Sequence, residues 1–500
     1  MNRFYKRYSD VIFHLFKDNK WSNLAELSDK TGYSKSTIRR DLKFLETLIP
    51  EGWGFEKSES LGICLIKPEN GTLENLLVQI REKNSYFHIL KLILLNDGVD
   101  ISQISQEVHI SRSTAYRHLE KLQEVVREAG VNLTASPFKL VGEEKKIRRF
   151  IMQNLDFATL ETYTDKDSLD EKEFQTTLLH LFSKYSMSFR TGALHRLTMI
   201  LYISNLRVTM GYFVSYPKSV LMNYEGSKYF DFSKELGHYM ERCPSRDIQL
   251  QEIFYLSIYL MSEEKPVNRS QHLRYLRNRM KSKRGFPLTQ FLDSLSEYVC
   301  FNLSQDDIFL FHLYQTLKRI SLETEFEMET VRNSMLQYIP YYEYNPIFQT
   351  IEKLATKSFL TVPLKFKKLD VLEVFSLLQA AILRNKNQHT IIVALVCRTY
   401  TEKDYIREVL KYHYGNQVRI STFDPSSKEL IYKYEEIDLI ISTEEDIIGF
   451  QKIPVIMVSS FPTPSELMQI KQFFEDHFFD QFSMDPGMIY PYEKMNAVVK

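Results

Sequence analysis

The chain has 500 residues, enough for several domains of the usual size of about 100–200 residues. Its 64 Lys and Arg balance 64 Asp and Glu, which excludes a polycation that coats nucleic acid or clings to a membrane by net charge alone. Gly and Pro number only 16 each, against usual shares of about 7% and 5%. Turn-dense β-sandwiches, collagen-like repeats and low-complexity designs are therefore excluded, and helix is expected to dominate.

The opening MNRFYKRYSD is charged, and the VIFHLF that follows is interrupted by Lys17 and Asp18 too soon for a signal-peptide core. The longest apolar run, Ile391 to Cys397, has the length of a buried strand and falls far short of the ~20 residues that span a bilayer. Cys64, Cys243, Cys300 and Cys397 lie far apart and form no CxxC pair, against a zinc ribbon or a disulfide framework. A soluble, cytoplasmic protein with reduced thiols and neither metal nor cofactor is expected.

The first 150 residues repeat. LAELSDKTGYSKSTIRRDLKFL from Leu24 recurs as ISQISQEVHISRSTAYRHLEKL from Ile101, at an offset of 77 that aligns Ser34 with Ser111, Thr37 with Thr114, Arg40 with Arg117 and Leu42 with Leu119. Each copy reads as a short amphipathic helix, a tight turn and a second helix opened by a serine N-cap. Leu24, Leu27, Tyr33, Ile38, Leu42 and Leu45 are expected to face inward in the first copy, and Ile101, Ile104, Ile110, Ala115, Leu119 and Leu122 in the second. This is helix-turn-helix spacing. The second helix of such a unit enters the major groove, where hydroxyls and backbone N–H groups hold phosphates and Arg or Lys reach base edges. The polar face carries Lys35, Ser36, Thr37, Arg39, Arg40 and Lys43 in copy one, and Ser111, Arg112, Ser113, Thr114, Tyr116, Arg117, His118 and Lys121 in copy two. The hydroxyls also serve as N-caps, whether or not they touch DNA. LGICLIKPE from Leu61 and FKLVGEE from Phe138 follow as extended stretches that suit the wings of winged helices. Residues 1–150 hold 24 bases and 20 acids, a small surplus of the sign that DNA binding requires.

From about Asp170 to Arg384 the chain is rich in Leu, Tyr and Phe at helical spacing, with Leu194, Leu197, Ile200, Leu201 and Ile203 on one buried face. A weaker echo aligns His195 with His312 at an offset of 117, and EIFYLSIYLMSEE from Glu252 resembles LEVFSLLQAAILR from Leu372. Two helical bundles of similar plan are expected. No GxxxxGK[ST], HExxH or GxSxG motif occurs, and by spacing alone His195 and His312 are ordinary helix histidines. At Asn387 the pattern changes to alternating strands and helices: HTIIVALVC, TEKDYIREVLKYH, QVRISTFD, IDLIIST, IPVIMVSS and PSELMQIKQFFEDHFF, a small parallel or mixed α/β sheet. Cys397 ends the first strand, where open α/β sheets place ligands. Arg398, Thr399 and Tyr400 follow without a glycine to wrap a phosphate, so a structural thiol is expected.

Taken together, SKSTIRRDL, SRSTAYRHL, LHRLTMILYISNLR and IIVALVC followed by a helix resemble the Mga/AtxA class of global virulence regulators of Gram-positive bacteria over nearly the full length. The resemblance implies a mostly α multidomain protein: a first winged helix-turn-helix at 1–68, a second, Mga-type one at 69–165, phosphotransferase-regulation domains (PRDs) at 166–280 and 281–386, and an α/β domain similar to enzyme IIB of the sugar phosphotransferase system at 387–500. It implies no enzyme. It implies a transcription regulator, usually an activator, that binds double-stranded promoter DNA as a homodimer or higher oligomer, the second helix-turn-helix being the more important reader. By motif position His195 and His312 become the residues that phosphotransferase-system phosphocarrier proteins would phosphorylate, linking virulence genes to carbohydrate supply. The enzyme IIB-like domain would serve self-association. Tyr259 and Ala380 stand where PRDs often place further histidines, and the phosphate loop beside Cys397 is missing. A phosphocarrier enzyme working through Cys397 is the rival reading. An RNA-binding antiterminator of the PRD type ranks last, because such proteins begin with a small β-rich module.

Overall fold

In the computed structural model, the structure describes residues 3–18, 21–155, 171–189, 192–237, 244–282, 285–328, 330, 338–362, 364–388, 390–421, 437–444 and 453–482. The expected boundary at 165 and the end of the expected strand QVRISTFD lie outside them. The chain divides into two compact units, one of Met1–Arg269 with Leu317–Tyr342 and Pro363–Lys365, the other of Ser270–Thr316, Glu343–Val362 and Phe366–Lys500. That division runs through the segment 281–386.

The first unit begins with α1 (Arg3–Asp18), α2 (Leu24–Thr31), α3 (Lys35–Leu45), the hairpin β1 (Gly54–Ser58) and β2 (Gly62–Ile66), and α4 (Leu73–Glu82). Asn23 starts α2 with a capping box, its side chain accepting from the N–H groups of Ala25 and Glu26 while Glu26 accepts from its own N–H. The hairpin pairs Gly54 with Ile66 and Ser58 with Gly62. It is anchored to the loop before α2 by two hydrogen bonds of 2.9 Å between Ser22 and Ile63. Gly62 makes that approach possible: its φ is +100°, and a Cβ there would lie 2.4 Å from the Ser22 carbonyl oxygen. Leu27, Ile38, Leu42 and Leu45 are buried as their spacing requires, with Leu24 and Tyr33 at the margin, and α1 and α4 close the core with Val11, Ile12, Leu15, Leu76 and Ile80.

The same plan follows in α5 (Ser85–Leu95), α6 (Ile101–Glu107), α7 (Arg112–Glu128), β3 (Asn132–Leu133), β4 (Leu140–Val141) and α8 (Glu144–Asn154). α5 ends at the offset of 77 from the end of α1, and α8 follows the second wing as α4 follows the first, so the repeat extends beyond the helix-turn-helix and wing that sequence identity marks. The first bundle comprises α9 (Glu171–Lys184), β5 (Ser188–Phe189), α10 (Ala193–Thr209), α11 (Lys218–Tyr224), α12 (Lys228–Glu235), α13 (Arg246–Glu263) and β6 (Glu264–Lys265). β5 and β6 pair antiparallel. The central helices α10 and α13 are wrapped on nearly all sides: every residue of α13 from Glu252 to Glu263 is buried. The core of copy two is continuous with this bundle, since Ile104, Leu119 and Val126 belong to one apolar cluster with Leu201, Phe254 and Tyr259. Leu322, Phe326 and Met328 join it.

The second unit contains α14 (Arg269–Met280) from Ser270 onward, α15 (Phe286–Val299), the start of α16 (Asp307–Glu325), α17 (Pro346–Ser358) and α18 (Lys368–Gln388). β7 (Ile391–Val396), α19 (Tyr400–Tyr414), β8 (Val418–Ile420), β9 (Leu439–Ser442), β10 (Val455–Met457) and α20 (Pro464–Phe482) follow. The four strands form a parallel sheet in the order β10-β9-β7-β8. Val393, Leu395, Leu439 and Ile441 pack against Ile406 and Leu410 of α19 and Ile470 and Phe474 of α20.

Candidate nucleic-acid interface

The two second helices open with the same hydroxyl network. Ser34 Oγ accepts from the Thr37 N–H at 3.2 Å and lies 3.0 Å from Ser36 Oγ and 2.8 Å from Thr37 Oγ1. In copy two Ser111 Oγ accepts from the Thr114 N–H at 3.2 Å and lies 2.9 Å from both Ser113 Oγ and Thr114 Oγ1. These hydroxyls cap their helices, and the N–H groups of each first turn remain beside them as an anion-binding end. At 100° per residue, Lys35, Ser36, Arg39, Arg40 and Lys43 fall within an arc of about 140°, and Ile38, Asp41, Leu42 and Leu45 on the opposite side. The structure matches that wheel: the first five are exposed, the last four buried, and Thr37 lies between.

In copy two Ser111, Arg112, Ser113, Tyr116 and Arg117 are exposed and Thr114 is half-buried. Arg112 is steadied by donating from Nη2 to Ser102 Oγ at 3.0 Å. Tyr116 takes the place of Arg39. Tyr116 is 51% exposed, and its ring meets Phe138 of the wing edge-on, over a cavity of about 220 Å³ lined also by Ile101, Leu133 and Ala135. Glu120, at the place of Lys43, is exposed, so the second face carries fewer cations than the first.

Two expectations need correction. His118 does not belong to the exposed face: it lies on the buried arc, its ring 6.1 Å from that of Tyr86 and its Nε2 3.4 Å from Ser85 Oγ. Burial, with Lys121 and Arg117 adding repulsion, pushes its pKa down. Lys121, 180° from Arg112 on the wheel, sits at the edge of the arc and is half-buried. Its pKa is lowered by burial first and then by Arg117, Arg7 and Arg40. Charges on α1 and α3 thus reach Lys121 of α7. The structure also reveals a partner that periodicity does not mark: Asp41, the counterpart of His118, is buried and paired with Arg7 of α1 through Nε and, at 2.8 Å, Nη2. Its only sequence signal is a carboxylate at a core position of the helical period.

Comparison with known proteins follows the same division. Residues 9–60 match the M protein trans-acting positive regulator (MGA) HTH domain, and residues 69–155 the Mga helix-turn-helix domain. The capsule synthesis positive regulator AcpB of Bacillus anthracis is 21% identical over 507 residues, covering 95% of this chain and 99% of its own. The anthrax toxin expression trans-acting positive regulator of the same organism is 20% identical over 475 residues, 93% of this chain and 97% of its own. Its capsule synthesis positive regulator AcpA is 18% identical over 325 residues, 63% and 66% respectively. The chain thus carries two Mga-type helix-turn-helix domains and is similar over nearly its full length to positive regulators of toxin and capsule expression. These relatives are named as positive regulators, none as an enzyme. No described helix is long and apolar enough to cross a membrane.

The remaining candidates lie on elements other than α3 and α7. His195 is exposed in the first turn of α10, beside Arg196, which pairs with Glu263 through Nε at 2.7 Å and Nη2 at 2.6 Å. His312 is exposed on α16. Cys397 follows β7 and is half-buried. Burial pushes its thiol pKa up, and the nearby Glu402 carboxylate adds to that. Glu402 accepts from the Arg398 N–H at 3.2 Å, Thr443 Oγ1 at 3.1 Å and Ser460 Oγ at 2.9 Å. Those donors, gathered from the ends of β7, β9 and β10, already hold an anion supplied by the chain itself, and they hold the Glu402 pKa below the usual carboxylate range.

Proposed function

We propose that this protein is a DNA-binding transcription activator that reads promoter DNA through α3 and α7, with the segments 166–280 and 281–386 acting as PRDs and the C-terminal sheet as an enzyme IIB-like self-association domain. The observation that carries the reading is the duplicated cap and exposed arc: Ser34 with Lys35, Arg39 and Arg40, and Ser111 with Arg112, Tyr116 and Arg117, in the same helical frame. The full-length similarity to positive regulators supports it. Replacing Arg112 and Arg117 by Ala is expected to weaken binding of a promoter duplex by about tenfold or more for each arginine, with the fold retained because both are solvent-exposed. Unchanged affinity at physiological salt would remove α7 as the reader.

The finer parts of the reading are regulation and assembly in the cytoplasm. Exposure of His195 and His312 suits transfer from a phosphocarrier protein. Phosphate on His195 would place about −1.5 to −2 charges in the first turn of α10, where the helix dipole favours anions. His195→Asp is then expected to give a reporter output different from His195→Ala, and identical outputs would remove the phosphorylation idea. Tyr400, Tyr412, Phe461 and Met468, between 61% and 86% exposed on the C-terminal domain, support homodimer or higher-oligomer formation there. Nothing favours the phosphocarrier reading: the thiol of Cys397 has its pKa raised, and Glu402 occupies the anion donors beside it.

A further inference from the structure

We infer that Tyr212, in the first bundle, is a positioning residue for the second DNA reader, tying the base of its wing to α10. The inference rests on the DNA-reading role proposed above. Helix α10 ends in a Schellman motif, with the Gly211 N–H donating to the Val208 carbonyl and the Tyr212 N–H to the Arg207 carbonyl, both at 2.9 Å. Gly211 makes the left-handed turn at φ +82°. That turn swings the Tyr212 ring over the Arg207 guanidinium, 4.1 Å from the ring centre, and aims its hydroxyl away from the bundle.

The hydroxyl meets the second winged unit at the base of its wing. It donates to Asp97 Oδ1 at 2.6 Å and accepts from Lys139 Nζ at 3.3 Å, while Lys139 and Asp97 are themselves 3.5 Å apart. Asp97 lies two residues before Val99, whose backbone pairs with Phe138 of the wing, and Lys139 directly precedes β4. One phenol therefore grips both the loop that leads into α6 and the strand that leads out of the wing. In copy one the sequence has Lys20 and Gly62 at the positions of Asp97 and Lys139, so the acceptor and donor pair is not repeated.

Tyr212 is held at its other end by buried charges. Arg207 forms a two-pronged pair with Glu144 of α8 at 2.9 and 2.8 Å, and Glu144 also accepts from Arg148 Nε at 2.9 Å. Arg148, with no exposed side-chain surface, pairs with Glu252 of α13 at 2.6 and 2.9 Å and donates to the Tyr212 carbonyl at 3.3 Å. Glu252 in turn accepts from the Val214 N–H at 3.1 Å. The segment 212–214 is thus clamped from α8 and α13. A shift of α10 relative to α13 would move the hydroxyl, and with it the wing.

The test is Tyr212→Phe in the full chain, which keeps the ring over Arg207 and changes no charge. Without DNA, amide exchange in residues 96–99 and 132–141 is expected to quicken about tenfold, the scale of a hydrogen bond to a charged group. Affinity for a duplex selected by the wild-type protein is expected to fall severalfold, while affinity for a random duplex of equal length stays unchanged, because the phosphate-binding groups and charge are intact. A variant that merely lost folded protein would weaken both alike. Asp97→Ala is expected to reproduce Tyr212→Phe, with no further loss in the double variant, and Asp97→Asn, which keeps an acceptor, to restore most of the protection. Exchange unchanged in Tyr212→Phe, or faster exchange with selective affinity unchanged, overturns the proposal. A wild-type protein with no preference for any duplex overturns the DNA-reading role itself, whatever the exchange shows.

Discussion

The two helix-turn-helix copies share their caps, their exposed arcs and their wings, yet they are supported differently. Copy one closes its core with its own flanking helices, α1 and α4 supplying Val11, Leu15, Leu76 and Ile80. Copy two packs Ile104, Leu119 and Val126 into the same cluster as Leu201 and Phe254 of the first bundle. The buried position that copy one fills with the Arg7–Asp41 pair is filled in copy two by His118 against Tyr86. Copy two instead places its buried charges at the junction with the bundle, at Arg148 and Glu252. A unit whose core is closed by its own helices, with Tyr338 packed against its edge, answers chiefly to its own packing. One that shares a core with a bundle answers to whatever alters that bundle.

The largest expected effect tests that sharing. Arg148→Met leaves Glu252 buried without its partner and is expected to cost about 3–5 kcal/mol. Copy two and the first bundle should melt together at lower temperature while copy one keeps its own transition; segment-resolved exchange or proteolysis during heating would show this. A uniform shift of both copies would break the comparison. Next come the paired truncations Leu42→Ala and Leu119→Ala, at equivalent positions and both almost fully buried, each costing about 2–5 kcal/mol. Leu42→Ala is expected to loosen copy one alone, and Leu119→Ala to loosen α10 and α13 as well, read as faster exchange in those helices.

The smallest effect is pH-dependent. The folded pKa of His118 is below the ordinary histidine value of about 6.5, so the unfolded chain binds its proton more readily. The stability it permits is full above that value and is lost as pH falls through it towards the lower folded value. Between pH 7.5 and 5.5 the wild-type protein is expected to lose more stability in copy two than His118→Gln does, as read from denaturant midpoints. Equal losses would mean that His118 is not held neutral by its surroundings.

Much of this is legible in the sequence because local rules govern it. The repeat, both caps, the buried leucines and the wings follow from period and turn chemistry, and the C-terminal run IIVALV is the strand β7 it reads as. The misplaced residues lie within α7, where polar character does not mean exposure: His118 is about 240° from Arg112 on the helical wheel, in the buried arc, and Lys121 is at its edge. Other features depend on pairings that no period encodes. Arg7 and Asp41 are 34 residues apart, and Tyr212 and Asp97 115 apart. The equivalence of α1 with α5 is hidden in the sequence because it rests on shape and burial, with little identity between their residues.

The central claim is that α3 and α7 both place cations on DNA phosphates and base edges. The most direct measurement is the salt dependence of binding to one promoter duplex, for the wild-type protein, Arg39→Ala/Arg40→Ala and Arg112→Ala/Arg117→Ala. Removing one cation from a phosphate lowers the slope of log affinity against log salt by about one. The account predicts a shallower slope and weaker binding for both double variants, with the larger drop in affinity from the pair on α7. A slope and affinity equal to wild type in both would contradict it.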